Sequence, residues 1–311
     1  MAPSANNQPS PQVEPLSREV AEFVLDRRAR NLTPKTLLWY DQSLTIFAAF
    51  LEEQGVVTTE AVTPGALRRF LLNLQERGHN PGGVRNIWGA VKAYLRWYGG
   101  ELAPPDWPNP LRRVETPRTP QVQMEPVPID SLRAMLATCR RRTFTGDRDR
   151  AILLGLLDTG CRASEFRALN LGDVDLGTGA VLVRRGKGRK ARSTFLGAKA
   201  RQALLRYLRH RGELADGAPL WATRGGTRLT YAGLREVVRR RAVRAGVDVP
   251  SLHSFRHAFA LNALRNGVDL VSLQRLLGHA DLSVLRRYLA QTDGDLAAAH
   301  RKASPVDRLK L

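Results

Sequence analysis

Residues 252–288 read LHSFRHAFALNALRNGVDLVSLQRLLGHADLSVLRRY, and this stretch decides the fold of the second half of the chain. Its apolar residues recur with the spacing that is typical of α-helices. Glycines at positions 267 and 278 mark helix ends, because glycine readily adopts the left-handed conformation that closes a helix. The stretch therefore predicts a helical region. Four uncommon polar side chains lie within it: His253, Arg256, His279 and Tyr288.

Upstream, the sequence predicts a small helical domain over residues 17–102. Its first helix begins at Ser17, and its fourth helix is expected to stop at Gly99-Gly100. The second to fourth helices open where a capping side chain precedes a proline, a pattern that favours a helix start. These pairs are Thr33-Pro34, Thr63-Pro64 and Asn80-Pro81. Residues 1–16 are rich in Ser, Pro, Asn and Gln, and we expect a disordered tail there.

Prolines are frequent in residues 103–128, which predicts a stiff, extended linker. Residues 129–311 are predicted to form a second domain with a C-terminal tail over residues 291–311. The elements expected in this domain include helices over residues 129–142 and 148–159, and strands over 179–185 and 192–196 joined by the turn 186–190. The predicted fold class is mainly α (α+β): a four-helix domain and a helical domain with a small antiparallel β-sheet.

The charge of the chain indicates a polyanionic partner. Among its 311 residues, 49 are Lys or Arg and 29 are Asp or Glu, which gives a net charge of +20. Residues 106–311 contain 38 basic and 19 acidic side chains, so this part alone carries +19. Most of the basic side chains are arginines, whose planar guanidinium binds phosphate through paired hydrogen bonds. Nucleic acid is the leading partner, and a polyanionic membrane surface is the weaker alternative.

Composition excludes several classes of protein. Cys139 and Cys161 are the only cysteines, too few for a disulfide scaffold or a Cys-rich zinc module. No apolar run approaches the roughly 20 residues of a membrane span, and the N-terminus lacks the apolar core of a signal peptide. We therefore expect a cytoplasmic protein. His253 and His257 have no accompanying acidic or cysteine ligand nearby, so no metal site is predicted.

Two more segments complete a set of side chains suited to phosphodiester chemistry. Arg162 lies between two apolar helical stretches, and Lys187 lies in the predicted hairpin turn. Two arginines can hold the non-bridging oxygens and neutralise the charge of a phosphorane transition state. A lysine can protonate the leaving oxygen, and a tyrosine beside cations and a histidine can act as the nucleophile. The turn lacks the Gly-x4-Gly-Lys-Ser/Thr pattern, so ATP binding is not expected.

Five motif elements occur in order along the chain: Arg162, Lys187, His253-x-x-Arg256, Leu277-Gly278-His279 and Tyr288. Together they resemble the active-site signature of the tyrosine recombinases, the phage-integrase and Xer class. The spacing fits that signature, with 23 residues from Arg256 to His279 and nine from His279 to Tyr288. The resemblance covers nearly the whole chain, and residues 17–102 are similar to the SAM-like core-binding domain of that family.

The resemblance implies a site-specific recombinase that cleaves and rejoins DNA. Tyr288 would attack the scissile phosphate, leaving a 3′-phosphotyrosyl bond and a free 5′-hydroxyl. Arg162 and Arg256 would bind the phosphate.

The remaining signature residues would assist this reaction. His253 would act as acid or base, His279 would hydrogen-bond a phosphate oxygen, and Lys187 would be the general acid. Glu165, three residues after Arg162, would orient the residues that contact the phosphate without contacting it itself. The chemistry would need no cofactor and no metal, since the covalent intermediate stores the energy of the cleaved bond.

Double-stranded DNA is the implied partner, bound by a homotetramer on two sites. The resemblance leaves open whether a partner recombinase or accessory protein takes part, and whether Tyr288 acts in cis or in trans. Further basic residues are candidates for DNA contacts: Arg184, Arg189, Lys190, Arg192, Arg239, Arg240 and Arg241.

The subtype is less determined than the family. After Tyr288 the chain reads Leu289-Ala290-Gln291, unlike the Thr-His-Val that is typical of Xer proteins. This difference favours an integrase of a mobile element, with a Xer-type chromosome-dimer resolvase as the alternative. Less favoured hypotheses are a type IB topoisomerase, which shares the chemistry, and an inactive DNA-binding protein on the same fold. The presence of all six signature side chains argues against the last of these.

Overall fold

The computed structural model describes residues 16–118, 125–184 and 191–278, together with positions 297, 300, 301, 304 and 306. The chain divides into two compact units, Met1–Val122 and Gln123–Leu311. In the described ranges, no helix is both long and apolar enough to span a membrane.

The first unit contains four helices: α1 (Leu16–Ala29), α2 (Pro34–Glu53), α3 (Pro64–Glu76) and α4 (Pro81–Glu101). Three of them begin as the sequence predicts, with a side-chain cap followed by proline. Thr33, Thr63 and Asn80 each accept a hydrogen bond from a backbone N–H three residues further on. These caps supply partners for N–H groups that the first turn of a helix leaves without one.

The core of this unit is aromatic. Phe23, Phe47, Phe70, Trp88 and Tyr94 are fully buried, and several of these rings meet edge to face. Such contacts add to the free energy gained from burying apolar area.

A buried acid lies within this aromatic core. The Glu19 carboxylate accepts hydrogen bonds from the Thr59 backbone N–H at 3.2 Å and from the Tyr94 hydroxyl at 3.2 Å. Burial, reinforced by the nearby carboxylate, raises the pKa of Tyr94. The network ties α1 to α4 and to the loop before α3, with its polar atoms paired.

The helix α4 continues through Gly99-Gly100, where the sequence predicted its end. A Cβ atom on Gly99 would lie 3.1 Å from the Trp107 ring. The glycine is therefore explained by the close approach of Trp107, and it does not end the helix. By contrast, α5 (Ile129–Ala137) is shorter than predicted, because the sequence placed its end near residue 142.

The proline-rich segment is packed at both ends, unlike the extended linker predicted for residues 103–128. A 3-10 helix, Pro110–Arg113, follows Trp107, whose indole donates to the Glu60 carbonyl at 3.3 Å. Trp107 and Leu111 pack against the aromatic core. At the other end, Val127 is buried in the core of the second unit. The apolar residues between the prolines gain more from burial than the segment would by staying extended.

The second unit is mostly helical with one small sheet. After α5 come α6 (Phe144–Thr159), α7 (Ala163–Ala168), β1 (Ala180–Val183), β2 (Arg192–Phe195), α8 (Ala198–Leu208), α9 (Tyr231–Ala245), α10 (Leu252–Arg265) and α11 (Leu270–Leu277). The strands pair antiparallel, with Ala180 opposite Phe195 and Val183 opposite Arg192. The predicted fold class is confirmed. The predicted turn 186–190 lies outside the described residues.

The core of the second unit surrounds α6, and this helix carries the centre of a buried cluster of charges. Asp149 is fully buried and accepts hydrogen bonds from three arginines: Arg148, Arg240 and Arg241. The Arg241 side chain is 3% exposed and also donates to the Thr138 carbonyl at 2.7 Å. Arg241 therefore stabilises the interior, which corrects its prediction as a DNA contact. Arg240 binds Asp149 but also reaches the surface, where 33% of its side chain is exposed.

We expect Asp149→Asn to lower the free energy of unfolding by about 3–5 kcal/mol, because it leaves buried guanidinium charge uncompensated. Urea unfolding followed by circular dichroism measures the loss. The control is Glu236→Gln, which removes the partner of Arg239 from an exposed pair on α9 and should leave the midpoint unchanged. Equal losses in the two variants would contradict the assignment of Asp149 as the organising charge.

Candidate active site

Four of the seven residues predicted for catalysis and its support lie in the described part of the chain. Arg162 is the N-cap of α7 and Glu165 lies in its first turn. His253 and Arg256 lie on α10. The other three lie outside the described residues: Lys187, His279 and Tyr288.

Arg256 is the most enclosed of these side chains, at 1% exposed. Its Nη1 donates to the Gly160 carbonyl at 2.7 Å and its Nη2 to the Leu277 carbonyl at 2.8 Å. Gly160 has φ +57°, and a Cβ atom there would lie 2.3 Å from the Phe259 ring. Glycine at this position therefore lets α10 come close to the end of α6. Arg256 connects that end of α6 with the end of α11.

Arg162 donates to the carbonyl next along the chain. Its Nη2 lies 3.4 Å from the Gly278 carbonyl oxygen, and its Nη1 donates to Glu165 Oε1 at 2.8 Å. The Arg162 side chain is 27% exposed. The structure thus brings the two predicted phosphate-binding arginines to consecutive carbonyls, those of Leu277 and Gly278, directly before His279 in the chain.

Glu165 lies between two guanidiniums. Besides Arg162, it binds Arg192 through both oxygens, with Nη1–Oε1 at 3.1 Å and Nη2–Oε2 at 2.7 Å. Burial alone would raise the pKa of Glu165, but hydrogen bonds from Arg192 and from the Arg162 backbone lower that pKa below its ordinary value. The carboxylate is therefore ionised at neutral pH, where it fixes the position of both arginines.

The surroundings of Arg192 do not fit the DNA contact that the sequence predicted for it. Its side chain is 9% exposed, and its Nε donates to the Leu276 carbonyl at 3.0 Å. Residue type and position in a basic segment indicated a surface cation, but the guanidinium is directed toward buried acceptors. The carbonyls of Gly160 and of residues 276–278 are likewise partners that a side-chain motif does not reveal.

The two histidines of α10 have different surroundings. His253 lies exposed in the first turn, where the Ser251 hydroxyl caps the helix by accepting from the Ser254 N–H at 3.1 Å. His257 is buried at 8% exposed. Throughout the described ranges, no three His, Cys, Asp or Glu side chains gather as a metal site would require.

The other basic candidates are distributed over the surface. Arg184 is exposed and paired with Asp173. Arg239 is 58% exposed and pairs with Glu236 at 2.7 Å. Arg189 and Lys190 lie outside the described residues. Arg184 and Arg239 therefore remain accessible for contact with DNA.

Sequence reasoning missed Arg228, which holds the end of α7. Its Nη1 donates to the carbonyls of Arg167 and Leu169, each at 2.9 Å. Burial and the neighbouring Arg167 charge lower the pKa of Arg228. The position in a loop far from the signature gave no indication of this contact. Arg228 thus supports α7, the helix whose N-cap is Arg162.

Comparison with known proteins identifies the family of this chain. The model of the phage integrase family matches residues 127–294. The tyrosine recombinase XerC of Pelobacter propionicus is 33% identical over 302 residues, which cover 95% of this chain and 98% of that protein. The chain belongs to the phage integrase family. It is a tyrosine recombinase, an enzyme that breaks and rejoins DNA strands.

Solved structures of other recombinases share the fold of this one. The XerH recombinase bound to its difH substrate superposes with a TM-score of 0.69 at 22% identity, covering 94% of this chain and 85% of that one. The Tn1549 transposon integrase in complex with a circular intermediate DNA gives a TM-score of 0.72 at 17% identity, covering 93% and 99%. The prediction of family and fold from the signature is confirmed.

The stability of the recombinase should depend on pH through Glu165. The ionised carboxylate stabilises the folded state above the ordinary pKa of 4.5, and this contribution is lost as the pH falls through the lowered folded-state pKa. We expect Glu165→Gln to be less stable than the wild type near pH 7, with the difference in free energy of unfolding narrowing as the pH falls below 4.5. Urea unfolding across this range measures the difference. A constant difference at all pH values would contradict the proposed ion pairs.

Proposed function

We propose that this recombinase exchanges strands at a specific DNA site through a covalent bond between Tyr288 and a 3′-phosphate. The observation that carries the proposal is the convergence of Arg162 and Arg256 on the Leu277 and Gly278 carbonyls, immediately before His279. Guanidiniums from two separate elements, brought to one point, suit a tetrahedral anion that accepts several hydrogen bonds.

The cleavage step balances without a cofactor. The Tyr288 oxygen attacks phosphorus, a phosphotyrosyl ester forms, and the bond from phosphorus to the 5′-oxygen breaks. Lys187 gives a proton to that leaving oxygen, and His253 accepts the proton that the tyrosine loses. The 5′-hydroxyl of a second strand then reverses these steps and releases Tyr288. One ester replaces another at each stage, so no ATP is consumed.

The remaining groups stabilise the transition state. Arg162 and Arg256 hold the non-bridging oxygens, and His279 donates to one of them. Glu165 keeps Arg162 oriented through the 2.8 Å hydrogen bond described above. Preorganised cations of this kind favour the pentavalent phosphorus over the ground state, because its charge is greater.

Double-stranded DNA is the proposed substrate, and we place the enzyme in the cytoplasm with it. The XerH structure is a complex with a difH substrate, and the Tn1549 integrase structure is a complex with a circular intermediate DNA. The charge of +19 on residues 106–311 supports the same partner. A homotetramer on two sites would let four tyrosines act on four strands.

Two subtypes fit the chemistry. The similarity to XerC over nearly the whole length of both chains supports a Xer-type chromosome-dimer resolvase. The sequence Leu289-Ala290-Gln291 after the nucleophile supports an integrase of a mobile element. The genomic position of the cleavage site distinguishes them: a single site on the replicon favours the Xer role, and an element boundary favours the integrase.

Covalent capture tests the nucleophile and finds the site. We expect wild-type enzyme, incubated with nicked genomic fragments of its source organism, to retain one short sequence after denaturation. Tyr288→Phe should retain none, because it lacks the attacking oxygen. Tyr231→Phe, which alters an exposed tyrosine on α9, is the matched control and should retain the same DNA as wild type. Retention by Tyr288→Phe would assign the nucleophile elsewhere, and no retention by wild type would contradict strand cleavage.

Affinity for DNA should fall steeply with salt. If the enzyme contacts about six to ten phosphates, raising the salt from about 50 to about 200 mM should weaken binding about 10³–10⁵-fold. We expect Arg239 to contact a phosphate, so Arg239→Gln should make the slope of log K against log salt shallower by about one. Arg133→Gln, which alters another exposed arginine of a helical ion pair, is the control and should keep the slope. A flat response for wild type would count against phosphate-dominated binding.

A further inference from the structure

Arg192 joins three elements of the second unit. It begins β2, its guanidinium binds Glu165 on α7 through two hydrogen bonds, and its Nε donates to the Leu276 carbonyl at the end of α11. With the side chain 9% exposed, the donors that make these bonds are directed into the protein. To reach a DNA phosphate, the guanidinium would have to give up the Glu165 carboxylate.

Gly278 lies directly against this arginine. The glycine has φ +64°, and a Cβ atom there would lie 2.7 Å from Arg192 Cδ and 2.9 Å from Arg192 Nε. The side chain could not easily move away, because its hydrogen bonds to Glu165 and to the Leu276 carbonyl hold the guanidinium in place. The Arg192 side chain thus forms the surface on which the chain turns toward His279.

We propose that Arg192 is a positioning residue for strand cleavage. It holds the Leu276–Gly278 turn against Glu165, and Glu165 in turn orients Arg162. One side chain thereby fixes the position of Arg162 relative to the carbonyls of residues 276–278, which directly precede His279 in the chain. This inference rests on the proposed strand-cleavage function. It assigns Arg192 no contact with DNA or with the reacting atoms.

A lysine cannot replace Arg192 in this role. The two Nη groups match both oxygens of a carboxylate, while the N–H on Nε donates to a carbonyl. An ammonium is a point charge on a flexible stem and does not hold both partners at fixed angles. The proposal therefore predicts a defect in Arg192→Lys, although the charge is kept.

The test separates cleavage from binding. Nicked duplexes with the captured sequence, on which cleavage cannot be reversed, give the rate of covalent complex formation, and titration at several salt concentrations gives affinity. We expect Arg192→Lys and Arg192→Gln to cleave at least about 100-fold more slowly, since small displacements of reacting groups are costly. Their affinity and salt slope should match wild type. The control is Arg211→Gln, which removes an arginine bound to the Leu220 carbonyl at 3.1 Å, remote in sequence from the signature. It should cleave normally.

A glycine pair tests the same contact from the other side. Gly278→Ala would drive a Cβ atom into Arg192, whereas Gly246→Ala has a similar φ of +67° but nothing within 4 Å. The two variants therefore carry similar backbone strain, but only Gly278→Ala places a Cβ atom against Arg192. We expect slow cleavage with normal affinity only in Gly278→Ala. Should Arg192→Gln fail to fold, this pair still tests whether the contact between Arg192 and Gly278 is needed for cleavage.

A double-mutant cycle identifies the route of the effect. If Arg192 acts through Glu165, then Arg192→Lys combined with Glu165→Gln should cleave no more slowly than the slower single variant. Multiplied defects would overturn the proposed route. Normal cleavage with weaker binding and a lower salt slope in Arg192→Gln would make Arg192 a DNA contact and overturn the inference. A wild-type enzyme that forms no covalent complex would overturn the proposed function, and the inference with it.

Discussion

The carboxyl end of α11 is held by three guanidiniums, and the geometry of the site depends on this interaction. Arg192, Arg256 and Arg162 donate in turn to the carbonyls of residues 276, 277 and 278. The last carbonyls of any helix lack partners within it, and they form the negative end of its dipole. Cations are therefore the natural caps for this end. Here the capping cations include those that a phosphate would need, so closing the helix and assembling the site are one event.

So much positive charge requires a counterion, and Glu165 provides it. The carboxylate is buried between Arg162 and Arg192, where it accepts four hydrogen bonds, three from guanidiniums and one from the Arg162 backbone. Without it, two guanidiniums would repel each other in a poorly solvated place. The same arrangement recurs at Asp149 on α6, which pairs with three arginines. An arginine-rich chain thus keeps its second unit together with a few well-placed acids.

Local features of the fold could be predicted from the sequence because they depend on neighbouring residues. The caps at Thr33, Thr63 and Asn80 need only the residue, the following proline and the N–H three positions on. The signature identified the family for a related reason, since its residue types and spacings are visible in one chain. The direction of an arginine is different. Arg192 and Arg241 look like surface cations in the sequence, and only packing with distant acids shows that they are buried. The same holds for Trp107, which packs where prolines suggested an open segment.

The contacts that build the site join residues far apart in the chain. Arg162 and Gly278 are 116 residues apart, Arg256 and Gly160 are 96 apart, and Arg192 and Leu276 are 84 apart. Contacts of such long range form late, because closing a long loop costs conformational entropy before any contact offsets it. During synthesis, the carbonyls at 276–278 leave the ribosome after nearly all other described residues. Until then a growing chain carries its basic charge, but Arg162, Arg192 and Arg256 lack the carbonyls that bring them together. A nascent recombinase can meet DNA electrostatically before it is able to cut it.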